Sequence, residues 1–178
     1  MMKKSYEDLA RRIFRAARIK DNFHMRSGLI IKDKYIDKYL FEADPHLLRE
    51  IVQTIAPLIP KDVNGLAGLE MGGIPIVTAL SQLTGIPALF VRKKAKTYGT
   101  FKLVEGGDVM GRKLVIVDDG ITTGRQIRKS AKALRELGAS IQCALVVIDR
   151  ELGGVENLQK YNVNLQALFT ITELLQIE

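Results

Sequence analysis

Between residues 65 and 150 this chain alternates aliphatic runs with amphipathic stretches of helical length, and that alternation leaves few architectures open. The runs are 66–70 (LAGLE), 87–93 (PALFVRK), 113–119 (KLVIVDD) and 140–149 (SIQCALVVID). Residues 74–84 and 123–137 carry helical spacing between them. A strand that is apolar on both sides must be covered on both faces, and helical crossovers supply that cover for parallel strands. The expected fold class is therefore α/β, a doubly wound and mainly parallel sheet flanked by helices.

Ahead of this core, residues 5–19 read as an amphipathic helix capped by Ser5, with Leu9, Ile13, Phe14 and Ala17 on one face. Residues 35–41 (YIDKYLF) alternate partially and predict a strand. Asp44 before Pro45 is an N-cap with proline at the first helical position, and Leu47, Leu48, Ile51, Val52 and Ile55 form the buried face that follows. No repeat or linker interrupts the chain. One domain is expected over 1–178: an N-terminal helix and hood (1–44), a parallel-sheet core (62–150) and a C-terminal segment (151–178).

Composition narrows the class. The chain has 178 residues, 47% hydrophobic and 26% charged, and no apolar run long enough for a bilayer. The start is basic but lacks the apolar stretch of a secretory signal. Cys143 is the single cysteine and lies within an aliphatic run, which predicts a buried strand residue and a reducing cytoplasm. The net charge of +7 is compatible with a nucleic acid, an anionic surface or a polyanionic small molecule. Arg92, Lys93, Lys94, Lys96 and Lys102 cluster in one short stretch, which fits a polyphosphate at least as well as a nucleic-acid face. Residues 94–112 form a long connection with Gly99, Gly106, Gly107 and Gly111; it reads either as a lid over a phosphate-rich ligand or as a surface loop.

Ligands of open α/β sheets bind at the carboxyl ends of the strands. Polar or glycine-rich clusters follow all four runs: 70–73, 92–96, 118–124 and 149–150. The third is the most informative. Asp118 and Asp119 close an aliphatic strand, and Gly120, Ile121, Thr122, Thr123 and Gly124 lead into a helix. Hydroxyls and backbone N–H groups at a helix start can cradle a phosphate monoester, and Gly124 lets the backbone approach closely. The paired carboxylates can accept hydrogen bonds from vicinal sugar hydroxyls. Simple capping explains one acid and one hydroxyl, but not the paired acids together with Thr-Thr-Gly. His24 and His46 match no metal spacing. Phe23, Tyr35 and Tyr39 could stack on a base or pack in the core.

The 114–124 segment resembles the signature with which type I phosphoribosyltransferases bind phosphoribosyl pyrophosphate (PRPP). Further segments resemble the orotate phosphoribosyltransferase family: Arg92-Lys-Lys-Ala-Lys-Thr-Tyr-Gly its mobile catalytic loop, Met25-Arg-Ser-Gly with Tyr35-Ile-Asp its substrate hood, and Gly68-Leu-Glu-Met-Gly-Gly its pyrophosphate loop. Asp149-Arg150 and the Leu168–Leu175 tail also match.

The resemblance implies roles. Asp118 and Asp119 hold the ribose hydroxyls, with Lys96 as the catalytic loop residue. Gly120, Ile121, Thr122, Thr123, Gly124, Arg125 and Gln126 surround the 5′-phosphate. Arg92, Lys93, Lys96, Tyr98, Gly72 and Gly73 meet the pyrophosphate, and Arg26, Thr122 and Arg150 meet orotate. Mg²⁺ is implied as cofactor, held mainly by PRPP and water, with no dedicated protein cage. A homodimer with the loop crossing to the other subunit is implied too. Tyr98 stands where the family has His, Gly120 where it often has Val, Arg125-Gln126 where a small pair is common, and residues 70–73 lack the lysine of some relatives. Two other readings stay open: transfer to a purine or another base, and a PRPP-sensing regulator that binds nucleic acid. Against the regulator, the first 22 residues are too few for a winged helix and no aromatic-basic platform is present.

Overall fold

The computed structural model describes residues 2–19, 23–24, 30–31, 35–95 and 102–177. Helix α1 (Met2–Ala17) is followed by short strands β1 (Arg18–Ile19), β2 (Phe23–His24), β3 (Ile30–Ile31) and β4 (Tyr35–Ile36). Then come α2 (Lys38–Ala43), α3 (Pro45–Ile55), β5 (Gly65–Leu69), α4 (Gly73–Thr84), β6 (Ala88–Val91), β7 (Val104–Glu105), β8 (Lys113–Ile121), α5 (Arg125–Glu136), β9 (Ser140–Asp149), α6 (Gly154–Gln159), β10 (Asn164–Thr170) and α7 (Ile171–Gln176).

Six strands form one sheet in the order β10-β9-β8-β5-β6-β7. All neighbours are parallel except the edge pair β6 and β7. Alternate residues of each central strand face opposite layers. Val115, Val117, Leu145 and Val147 point to the layer built from α1, α3, α4 and α7. Ile116, Ala144 and Val146 point to the layer of α5 and α6. The doubly wound α/β reading therefore holds. One register shift, between Leu114 and Val115 on β8, pairs them with Ile141 and Cys143. Gln142 is thereby left as the extra residue, and a bulge lets this polar side chain stay exposed within an otherwise buried strand. Cys143 is buried, as its setting predicts.

The N-terminal region departs from its pattern. Helix α1 starts at Met2, so Ser5 lies inside it rather than capping it, and it ends at Ala17. The predicted strand over 35–41 is only two residues long. Asp37 accepts a hydrogen bond from the Tyr39 N–H at 3.1 Å and starts α2 instead. An Asp cap outweighs a short alternating pattern because it satisfies a donor that the strand reading leaves to chance. The Asp44 cap is formed as expected, accepting from the His46 and Leu47 N–H groups. Within 94–112, Val104 and Glu105 join the sheet edge as β7. Strand β8 runs two residues past Asp119, so the acid pair is held inside the ladder rather than at its fraying end.

Candidate active site

A cavity of about 970 Å³ opens at the carboxyl ends of β5, β6, β8 and β9, the place expected for this architecture. It brings together Gly72, Lys93, Asp118, Asp119, Gly120, Ile121, Thr122, Thr123, Gly124, Arg125, Gln126 and Arg150. Gly73 and Arg92 lie off its wall. A side chain at Gly73 would sit 2.4 Å from the Val117 carbonyl, so this glycine lets α4 pack against β8 rather than facing a ligand. Arg92 continues β6, its N–H donating to Leu103 O, and its Nε is buried without a hydrogen-bond partner among the described residues. Lys96, Tyr98 and Arg26 lie outside the described residues.

The phosphate-sized end is made of backbone. Gly124 adopts a left-handed conformation (φ 75°) at the start of α5, and no side chain caps that helix. The first intrahelical bond is Arg128 N–H to Gly124 O, so the N–H groups of residues 125–127 are available to an anion. Neither Thr122 nor Asp119 is spent as a cap, which removes the simple capping reading. The turn is braced from below. Asn157 Nδ2 donates to Thr123 O at 3.1 Å, and a side chain at Gly154 would meet Thr122 O at 2.6 Å. Gln126 Nε2 donates to Glu70 O, and Glu70 Oε2 accepts from the Lys93 N–H. The ends of β5 and β6 are thus tied to the start of α5, and Gln126 spends one of its two amide N–H donors on that tie. The Glu70–Met71 peptide bond is cis.

The acidic end is unusual electrostatically. Asp118 and Asp119 are buried, with Asp119 only 1% exposed. Asp119 Oδ1 has no hydrogen-bond partner among the described residues, and Oδ2 is ion-paired with Lys38. A buried carboxylate with acceptor positions left over is costly, and its place on a cavity wall suits a ligand that fills them. Asp118 accepts from the Asp119 N–H at 3.1 Å. Burial first, and then the charge of Asp119, push the Asp118 carboxyl well above the usual carboxylate range.

Sequence reasoning missed two contributors, Lys38 and Glu42. Lys38 Nζ lies 2.6 Å from Asp119 Oδ2. Burial works against its ammonium, but Asp119 outweighs that and lifts Lys38 above the usual lysine range. Glu42, one turn along α2 and 7% exposed, is pushed up to about 8 by burial and by the charge of Asp119. The available signal was Asp37. Read as a cap, it starts a helix that places positions 38 and 42 on one face. Tyr39 also lines the cavity, and its ring is 5.5 Å from Lys38 Nζ. Arg150 Nη2 donates to Ile36 O at 3.1 Å, joining the end of β9 to the same N-terminal segment. Among the described residues no cluster of three His, Cys, Asp or Glu side chains is arranged to hold a metal ion.

Residues 45–172 match the phosphoribosyl transferase domain family. An orotate phosphoribosyltransferase from a Nocardioides species is 45% identical over 166 residues, spanning 93% of this chain and 92% of that protein. The orotate phosphoribosyltransferase of Halobacterium salinarum is 42% identical over 144 residues, 81% of this chain and 82% of its own length. Among solved structures, the Mycobacterium tuberculosis orotate phosphoribosyltransferase bound to Fe(III) dicitrate superposes with a TM-score of 0.85 at 26% identity, covering 95% of this chain and 98% of that one. The Aeropyrum pernix orotate phosphoribosyltransferase gives 0.80 at 28% identity, covering 99% and 97%.

Proposed function

Because the chain belongs to the phosphoribosyltransferase family, among the orotate phosphoribosyltransferases, we propose a specific division of labour for the transfer of the phosphoribosyl group from PRPP to orotate. The products are orotidine 5′-monophosphate and pyrophosphate, a step of pyrimidine biosynthesis. The observation that carries the reading is the pairing, in one cavity, of a buried carboxylate with unspent lone pairs and an uncapped helix start.

Asp118 and Asp119 take the ribose hydroxyls. Thr122, Thr123 and the N–H groups that follow take the 5′-phosphate, whose charge suits the positive end of α5. Lys93, with Gly72 and the loop residue Lys96, faces the pyrophosphate. Arg92 joins the same group by turning from its place off the cavity wall when the ligand binds. Arg150 and Arg26 recognise the orotate carboxylate, for which a guanidinium fork is the matching donor. In the reaction the ribose C1–oxygen bond to pyrophosphate breaks and a bond from C1 to a ring nitrogen of orotate forms. Negative charge grows on the departing oxygen, so Lys96 contributes most in the transition state.

Mg²⁺ fits this oxygen-rich site as a hard ion held by ligand oxygens and water, where it would neutralise charge on the pyrophosphate. The proposal also includes a homodimer in which the 94–112 loop reaches the neighbouring subunit, a single domain over 1–178, and a cytoplasmic setting. Among the described residues no helix is long and apolar enough to cross a membrane. The test is a spectrophotometric assay with orotate, PRPP and Mg²⁺. Loss of orotate absorbance that requires PRPP is expected; turnover of a purine base with none of orotate would overturn the assignment.

A further inference from the structure

We infer that Lys38 is a positioning residue for PRPP: from α2 it holds the Asp119 carboxylate in place and compensates its charge, so that the remaining lone pairs face the ribose hydroxyls. The inference rests on the reading of Asp119 just given. Lys38 had no place in the sequence signature and none in the division of labour above.

Three observations carry it. First, Asp119 is wedged. A side chain at Gly72 would lie 1.3 Å from Asp119 Oδ2, so the pyrophosphate loop closes one side of the carboxylate. Second, Lys38 Nζ lies 2.6 Å from the same oxygen. A carboxylate offers about four acceptor positions, and one ion pair leaves the others open to a diol. Third, the segment that carries Lys38 is fixed at several points. The Asp37 N–H donates to Ala17 O at 2.8 Å, Asp37 caps α2, and Arg150 bonds to Ile36 O. Residues 36–38 therefore form a strut between the guanidinium assigned to orotate and the carboxylate assigned to ribose.

The charges around Asp119 make Lys38 hard to replace. Facing it are Lys38 and Glu42 from α2 and Asp118 from β8, with Tyr39 acting on Lys38 and Lys93 acting on Asp118 from the end of β6. Burial and the charge of Asp119 hold Glu42 and Asp118 above the usual carboxylate range, so neither supplies the cation that Asp119 needs. Without the ammonium, Asp119 would be a buried charge with no compensating cation among its described contacts. Because the pair acts on binding in both the ground and the transition state, its loss appears in KM rather than in kcat.

The experiment is steady-state kinetics with PRPP varied at saturating orotate, for wild type, Lys38→Met, Lys38→Arg and Asp119→Asn, and for Lys38→Met combined with Asp119→Asn. Thermal melts check that each variant folds. Lys38→Met is expected to raise the KM for PRPP about tenfold or more while kcat stays within about threefold. Lys38→Arg, which keeps the charge, should stay within about threefold of wild-type KM. In the Asp119→Asn background the Lys38→Met change should cost less than about twofold, since its partner is already gone. A KM for Lys38→Met within twofold of wild type, a Lys38→Arg variant as impaired as Lys38→Met, or equal costs in both backgrounds would each overturn the inference. A wild-type protein without PRPP-dependent orotate turnover would instead remove the functional reading beneath it.

Discussion

The two sides of the cavity are built by opposite strategies. On one side, the end of β8 and the start of α5 pack every functional group into residues 118–126, with conformation set by the ladder, a left-handed glycine and bracing from α6. On the other, α2 contributes Lys38 and Glu42, about eighty positions earlier in the chain, through one short capped helix. The first side is local and rigid. The second depends on tertiary docking of a small element. The difference shows that a binding signature records only what is contiguous, while the groups that tune it can come from anywhere the fold reaches.

Four measurements probe that contrast. Lys96 belongs to neither side and is assigned to the transition state alone, so it sets the upper mark. Lys96→Ala should lower kcat about a hundredfold or more with the fold intact, the scale of losing one donor aimed at a developing oxyanion. Unchanged turnover would remove the loop from the mechanism. Gly72→Ala attacks the rigid side. Its added carbon overlaps Asp119, and displacing that carboxylate by about an ångström should cost about a hundredfold in kcat/KM. If Gly72→Ala retains most of its activity, Asp119 is not wedged.

The docked side is expected to respond to pH. Glu42, on that side, binds a proton more tightly in the folded protein than unfolded, pushed up to about 8, and Asp118 on the first side is shifted in the same direction. Their contribution to stability is full below the ordinary carboxylate range and is lost as pH rises toward about 8. The ligand-free protein should therefore melt at lower temperature at pH 8 than at pH 5, and Glu42→Gln should flatten that decline. A melting temperature that rises across this interval in wild type would contradict the assignment. The smallest effect is Asp37→Ala, which removes the cap of α2 and should cost about 1 kcal/mol in a denaturant titration. If α2 docks independently of its cap, no shift will be seen.

Most of the sheet was legible because strands buried on both faces leave continuous aliphatic runs, and β5, β8 and β9 follow those runs within two residues. The phosphate-binding turn was legible for the same contiguous reason. What escaped were elements whose signal is short. Residues 35–41 alternate like a strand, yet one Asp side chain at position 37 decides for a helix. Lys38 and Glu42 were unmarked because their partner is Asp119, and no local pattern connects positions so far apart. Arg92 was read as facing the ligand from its place at a strand end, but it does not line the cavity, and its backbone continues the β6 edge through the bond to Leu103. Strand β10 was passed over within the C-terminal segment 151–178, although it pairs with β9 along its length.

Cys143 offers a practical use. The only thiol of the chain sits on β9 between β8 and β10, 6% exposed, and burial pushes its pKa above that of an ordinary cysteine. Its side chain belongs to the face covered by α1, α3, α4 and α7, so a thiol-directed reagent can reach it only when that layer lifts. The labelling rate of the unmodified protein thus reads out opening of the helical layer, without an engineered probe, and the half-life of that reaction with and without PRPP measures how strongly the substrate holds the layers together.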